Sequence, residues 1–325
     1  MSVRKRKKTS GVFLEEKDTR RLFARSFLSV AGAVVAAVAA LIYWGGGANS
    51  SAPAVVRDGA PAWSPDGKQL AFYSEVGGKP ADLFVVDATG LKVRQLTDTP
   101  EAEGYPAWSP DGRQIAFESH TADGNFDVYV MKTDGSNVRR LTREPRRDVG
   151  PAWSPDGAKI AFMSDRDGKE FNLYLMNADG SGVELLTLGE TDWFPQFSPD
   201  GRRIAFHRWS DVHVISLDDR RPVRLTVDPD NGMYPSWSPD GVRLTFMSRR
   251  GGPTSIFTMN ADGSNQQELV RLATGSAIDP RWSPDGKTIA FVSVPEQAVS
   301  EAQAATQSRV LYTVNVETRA IAPLR

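Results

Sequence analysis

The sequence predicts an all-β fold: a six-bladed β-propeller of four-stranded blades, preceded by one amino-terminal transmembrane helix. Three observations predict it. A Trp-Ser-Pro-Asp-Gly motif, with Phe for Trp in one copy, occurs six times at near-constant spacing, the same succession of short apolar runs follows each copy, and a charge-free apolar stretch of 18 residues lies near the amino terminus.

The motif begins at Trp63, Trp108, Trp153, Phe197, Trp237 and Trp282, at intervals of 45, 45, 44, 40 and 45 residues. A period of 40 to 45 with strand-like content marks propeller blades rather than helical repeats. The first strand of each unit ends in the motif aromatic, with proline two residues earlier at Pro61, Pro106, Pro151, Pro195, Pro235 and Pro280. The second strand carries Leu70-Ala-Phe72 or its counterparts, of which Ile115-Ala-Phe117 and Leu244-Thr-Phe246 are examples. The third alternates with period two, as in Asp127-Val-Tyr-Val-Met131, and the fourth runs into Leu-Thr at Leu96, Leu141, Leu186 and Leu225. Short β-branched and aromatic runs bounded by Gly, Pro and Asp are strands.

Ser-Pro-Asp-Gly places Pro where φ near −65° is wanted and Gly where φ must be positive, a type I turn closing with a G1 bulge. Ala-Asp-Gly-Ser at Ala178–Ser181 and Ala261–Ser264 turns the chain between strands three and four. Both turn sets therefore fall on one face of the disc, and the longer connections fall on the other. The six motif aromatics are expected to wedge between neighbouring blades. Each repeat supplies all four strands of its own blade, so the repeats mark out no interlocking strand and leave the mode of ring closure open. Ala54-Val55-Val56 is the candidate for an extra edge strand.

Residues 1–26 hold nine of the 39 Lys/Arg and three of the 40 Asp/Glu, and residues 27–50 hold none of either. The remainder therefore carries 30 bases against 37 acids, so a basic tail precedes an acidic body. Phe27 to Trp44 would make a helix of about 27 Å, close to the thickness of a bilayer's hydrocarbon core. Basic flanks stay cytoplasmic, and Tyr43 and Trp44 suit the far interface. The expected division is a basic cytoplasmic tail (1–26), a transmembrane signal anchor (27–44), a flexible linker (45–57) and the propeller (58–325). Thr19-Arg20-Arg21-Leu22-Phe23 resembles a twin-arginine export signal, with Ala24 and Arg25 where Leu and Lys are usual. The apolar run exceeds the 7–15 residues of a cleaved signal, which favours a retained anchor. The chain has no cysteine, so disulfides and thiolate metal sites are excluded.

The ordered set of Trp-Ser-Pro-Asp-Gly, Ile-Ala-Phe, Leu-Tyr-x-Met-Asn-x-Asp-Gly and Leu-Thr resembles the WD-like repeat of the TolB-like propeller family over residues 58–325. The resemblance implies a six-bladed propeller used for protein recognition in the bacterial envelope. It also implies kinship with propellers that precede peptidase domains or form the outer part of membrane regulators. The chain departs from each: about 13 linker residues stand where TolB carries an α/β domain, 26 residues are too few for a DNA-binding domain, and the chain stops soon after blade six. A propeller on a stalk is expected, held at the bacterial inner membrane by a single pass, with the propeller periplasmic or extracellular.

No catalytic motif is present: neither a Gly-x-Ser-x-Gly elbow nor a phosphate-cradling glycine loop occurs. His120, His207 and His213 have no metal-ligand spacing and suit packing or surface roles. Asp123-x-Asn125-x-Asp127 resembles the start of a calcium loop, but Val128 stands where its glycine belongs. No cofactor is expected, and calcium or another cation at these three residues is the weak exception. Five residues before the motif aromatic stand Asp58, Glu103, Asp148 and Asp192, then Gly232 and Ala277. These four acids are expected to form an arc around the channel mouth on the loop-rich face, attracting cations or a basic peptide. Tyr105, Trp193, Phe194 and Tyr234 would supply apolar anchors for the partner. The acidic body disfavours nucleic acid.

The leading expectation is a non-catalytic recognition module outside the cytoplasm that binds an envelope protein or peptide. Two alternatives remain: an enzyme or enzyme subunit acting on envelope glycan or peptide in the channel, and a structural or sensory ectodomain. Val294–Ser308 inserts into blade six as a loop or short helix.

Overall fold

The alternating apolar runs form strands, and the Gly/Asp-rich segments between them form tight turns. In blade one, β1 (Val56–Trp63), β2 (Gln69–Val76), β3 (Asp82–Asp87) and β4 (Val93–Gln95) pair antiparallel in sequence order. Five further four-stranded sheets repeat this arrangement, each built from consecutive strands. Their innermost strands are Glu103–Trp108, Asp148–Trp153, Asp192–Phe197, Met233–Trp237 and Ser276–Trp282. The computed structural model describes residues 55–122, 124–168, 170–188, 190–227, 232–296 and 308–324. The basic tail, the Phe27–Trp44 segment, Ala54, Asp123 and most of the blade-six insertion lie outside the described residues. Among the described residues no helix is long and apolar enough to cross a membrane.

The phenylalanine of each second strand explains why the blades are so alike. Phe72, Phe117, Phe162, Phe206, Phe246 and Phe291 are all fully buried. Each stacks on the residue opposite it in strand three (Phe84, Tyr129, Tyr174, His213, Phe257 and Tyr312) at ring-centroid distances of 5.6 to 5.8 Å. Cross-strand aromatic pairs of this kind are the unit of sheet stabilisation. Apolar residues then join blade to blade, as where Ala116 and Val128 meet Ile160, Phe162 and Tyr174.

The Ser-Pro-Asp-Gly turns take the geometry their residues dictate. The Gly67 N–H donates to the Ser64 carbonyl at 2.9 Å, Gly67 has φ of +69°, and the Ser64 hydroxyl donates to Asp66. Ala88 N–H donates to the Lys68 carbonyl, which sets the strand three-to-four turn beside the first turn on the same face. Each turn leans on the next. A Cβ on Gly112 would lie 3.9 Å from Pro65, and one on Gly67 would lie 3.8 Å from Pro284 of blade six. The six turns thus form an unbroken collar.

The ring closes by packing. Leu70, Phe72, Phe84 and Val86 of blade one share a core with Ala290, Val292, Leu311 and Leu324 of blade six. The expectation of an extra edge strand from Ala54-Val55-Val56 is corrected for Val56, while Ala54 lies outside the described residues. Val56 opens β1, the innermost strand, pairing with Val76. Its carbonyl accepts the Arg309 N–H of blade six at 3.3 Å, and Arg57 and Arg309 form a parallel bridge.

Candidate functional site

Every innermost strand carries the same irregularity. The residue before the repeat proline adopts a left-handed conformation: Ala60, Tyr105, Gly150, Phe194, Tyr234 and Asp279 have φ between +46° and +61°. In blade one this residue and its proline together face the single Phe72 of β2, because pairing jumps from Gly59 opposite Tyr73 to Ala62 opposite Ala71. This is a bulge, and a left-handed L-residue costs roughly 1–2 kcal/mol. The bulge takes the residue's N–H out of the ladder, and in four blades a side chain of a neighbouring blade satisfies it. Gly150 donates to Glu118 Oε2 (2.8 Å), Phe194 to Met163 Sδ (2.9 Å), Tyr234 to His207 Nδ1 (3.3 Å) and Ala60 to Asp279 Oδ2 (3.4 Å).

The bulged aromatics meet on the axis. Phe194 stacks on Tyr234 at 4.3 Å and packs at a tilt against Tyr105 at 4.8 Å, Tyr73 packs on Tyr105 at 5.6 Å, and His207 lies 5.3 Å from Tyr234. They form an aromatic septum across the centre of the ring. Burial pushes the Tyr105 and Tyr234 phenols well above 10, and drives the His207 imidazole down to about 3, so His207 is neutral and free to accept.

On the turn-rich side of this septum opens a funnel of about 280 Å³. Its floor includes Ala60, Tyr105, Gly150 and Phe194, and its wall includes the six motif aromatics Trp63, Trp108, Trp153, Phe197, Trp237 and Trp282. These aromatics also tie blades together. Trp108 Nε1 donates to the Ala62 carbonyl at 3.1 Å, Trp63 Nε1 donates to the Arg281 carbonyl at 3.3 Å, and Arg203 and Arg243 lie over the Trp237 and Trp282 rings. The residue just before each aromatic also lines the funnel. Around the ring these are Ala62, Ala107, Ala152, Gln196, Ser236 and Arg281. Half of this ring of six is therefore alanine and half is polar. Burial draws the Arg281 guanidinium below its usual range, opposed by Asp279, Tyr234 and Tyr105.

The expected acidic arc is corrected. Asp58, Asp148 and Asp192 are fully buried and Glu103 is nearly so, because this strand position faces the interior of the ring. Arg166 grips both oxygens of Asp148 at 2.9 Å, and Arg208 binds Asp192 at 2.7 and 2.9 Å. Asp58 accepts from Ser74 at 3.1 Å. Glu103 accepts from Thr97 of the preceding blade at 3.0 Å and from Thr99, while burial raises its carboxyl to about 7. Glu103 thus ties blade two to blade one, whereas the bonds of Asp58, Asp148 and Asp192 to Ser74, Arg166 and Arg208 brace their own blades. In blade five the position is Gly232, packed so closely on Thr226 that a Cβ would lie 2.9 Å from it.

Of the four expected anchors, Tyr105 and Phe194 reach the funnel floor, whereas Tyr234 and Trp193 do not line it. Trp193 packs on Phe171 at 4.7 Å, with Arg147 over that ring. Gln196, Ser236 and Arg281 escaped the sequence reading. Aligning the residue before each motif aromatic would have exposed them, since three of the six are alanine. Of the calcium candidates, Asn125 donates to the Glu144 and Arg146 carbonyls, and buried Asp127 accepts from Thr142 and pairs with Arg140. Both are thus engaged with the protein. Among the described residues no group of three His, Asp or Glu is placed to hold a metal ion.

Fold and site define a six-bladed propeller with a blind funnel on its turn-rich face. The chain belongs to the TolB beta propeller domain family, whose model matches residues 49–208 and 192–323. A segment of 76 residues is 42% identical to the Tol-Pal system protein TolB of Syntrophus aciditrophicus, covering 21% of this chain and 17% of that protein. A segment of 44 residues is 46% identical to the uncharacterized peptidase YuxL of Bacillus subtilis, covering 14% and 7%. The chain thus aligns with less than a fifth of the length of either curated relative. The TolB structure from Acinetobacter baumannii superposes with a TM-score of 0.63 at 16% identity, covering 82% of this chain and 62% of that one, which shows the shared fold.

Proposed function

We propose that this chain is a non-catalytic recognition module, working outside the cytoplasm, that seats a segment of a protein or peptide partner in the funnel of its turn-rich face. The observation that carries this reading is the blind funnel itself: a preformed concavity walled by aromatics and floored by the aromatic septum. Binding sites are concave, largely apolar and set with a few polar groups. Repeat prolines in the wall, Pro61, Pro106, Pro151 and Pro195 among them, stiffen it and lower the entropy lost on binding.

The reading moves the partner from the loop-rich face, where the acids are buried, to the opposite one. The non-catalytic reading is supported by a lining without carboxylate or histidine among the described residues. The charge-free Phe27–Trp44 sequence and its basic upstream flank support tethering to a membrane.

Cross-linked pull-downs from intact envelopes test the reading by comparing wild type, Ala107→Trp and Arg146→Glu. The first substitution fills the funnel, and the second alters an exposed side chain on the loop-rich face. The reading predicts that Ala107→Trp loses a partner that Arg146→Glu keeps. Equal recovery from all three proteins contradicts it.

A further inference from the structure

We infer that Arg281 makes the funnel a carboxylate-recognising site, so that the peptide segment entering it presents an acidic side chain or a free carboxyl terminus. This rests on the reading that the funnel binds a peptide, and it specifies that peptide's chemistry.

The guanidinium feels the charge of buried Asp279 but keeps most of its donors unused. Among the described residues no ion pair within 4.0 Å holds the Arg281 guanidinium, and its one hydrogen bond runs from Nη1 to the carbonyl of Pro280 at 3.0 Å. By contrast, Arg166 and Arg208, on the loop-rich side of the ring, are tied up in ion pairs with Asp148 and Asp192. Asp279, two residues before Arg281, faces the floor and accepts the Ala60 N–H. A half-buried guanidinium offers a fork of donors that matches a carboxylate in two parallel bonds, and enclosure strengthens them. Gln196 and Ser236 stand at the equivalent positions of the two preceding blades. Ser236 already accepts the Trp282 N–H at 3.4 Å, which leaves its hydroxyl proton to donate. Three donors thus occupy one sector and Ala62, Ala107 and Ala152 the other, so an entering segment is oriented with its carboxylate toward blades four to six. At about 280 Å³ the funnel takes one or two side chains. It therefore suits the tip of a loop or the end of a chain, and a helix is too wide for it.

Three pools of N-acetylated tetrapeptides test this: C-amidated with one fixed glutamate, C-amidated with one fixed glutamine, and non-acidic with a free carboxyl terminus. Calorimetry reads affinity for the full chain. The wild type should bind the glutamate pool, the free-carboxyl pool or both at least tenfold tighter than the glutamine pool, and the preferred pool identifies the source of the carboxylate. Arg281→Gln should abolish the preference. A second variant, Asp279→Asn with Arg281→Gln, should do the same without leaving the buried Asp279 uncompensated, and its thermal unfolding reports that it folds. The inference is overturned by equal affinity for glutamate and glutamine pools, by a preference that survives in the double variant, or by a uronic-acid oligosaccharide binding tighter than every peptide pool. Binding without charge preference leaves the funnel reading standing. If no pool binds, the inference fails, and the Ala107→Trp pull-down decides the funnel reading on its own.

Discussion

Glu118 shows how much a single side chain contributes to the septum. Its carboxyl holds the Gly150 N–H that the bulge of blade three releases, and burial raises it from 4.5 to about 7 against the opposing field of Arg147. Between those values the folded protein keeps a proton that the unfolded chain has lost. Stability therefore falls as pH rises from 4.5 through 7, and stays lower above it. Glu118→Gln retains an oxygen for Gly150 and removes the titration. The variant should be more stable than wild type by about 3 kcal/mol at pH 8 and indistinguishable near pH 4. Urea unfolding at the two pH values checks this, and a constant difference would refute it. Sequence reading could not reach this residue, because nothing local marks Glu118 among the acids of the body. Its role comes from a bulge in the next blade. The same holds for the acids five residues before each aromatic. Their spacing was legible, but which way they faced depended on a strand register that the bulge shifts.

At the scale of the element, Leu-Thr at the start of the long connections explains the order of the outer strands. The Thr97, Thr142, Thr187 and Thr226 hydroxyls accept the N–H of Leu83, Val128, Leu173 and Val212 at 2.8 to 3.0 Å. Thr226 also donates to Asp211 at 3.1 Å and is completely buried. Thr226→Val preserves shape and leaves the buried Val212 N–H without an acceptor, so it should cost about 1–3 kcal/mol in chemical denaturation. An unchanged midpoint would show that the clip is dispensable. Strands, turns and blade count were legible because each repeat carries its own turn chemistry and period-two pattern. The left-handed residue before each proline was not, since Ala60, Tyr105, Phe194, Tyr234 and Asp279 share no side-chain type and proline disfavours only the right-handed helical region.

Across the whole molecule, closure depends on blade six meeting blade one through shape. Gly90, with φ of +76°, lies so close to the last strand that a Cβ would stand 2.1 Å from the Leu324 carbonyl oxygen, whereas Gly78, with φ of +79°, has open space around it. Gly78→Ala should therefore cost only the left-handed conformation, roughly 1–2 kcal/mol. Gly90→Ala adds a clash at the seam and should cost about 2–5 kcal/mol. Equal losses would mean that the seam does not limit stability. The six-fold collar of turns, the septum and the funnel are likewise properties of the ring. They were out of reach of a blade-by-blade reading, although the six aromatics that wall the funnel were all in view.

The central claim is that a partner enters from the turn-rich face, and site-specific photo-cross-linking in intact envelopes tests it most directly. A photoreactive residue placed at Gln196 in the funnel wall should give a discrete adduct with a partner, while the same residue at exposed Arg146 on the loop-rich face should give none. An adduct formed only from position 146 would contradict the account.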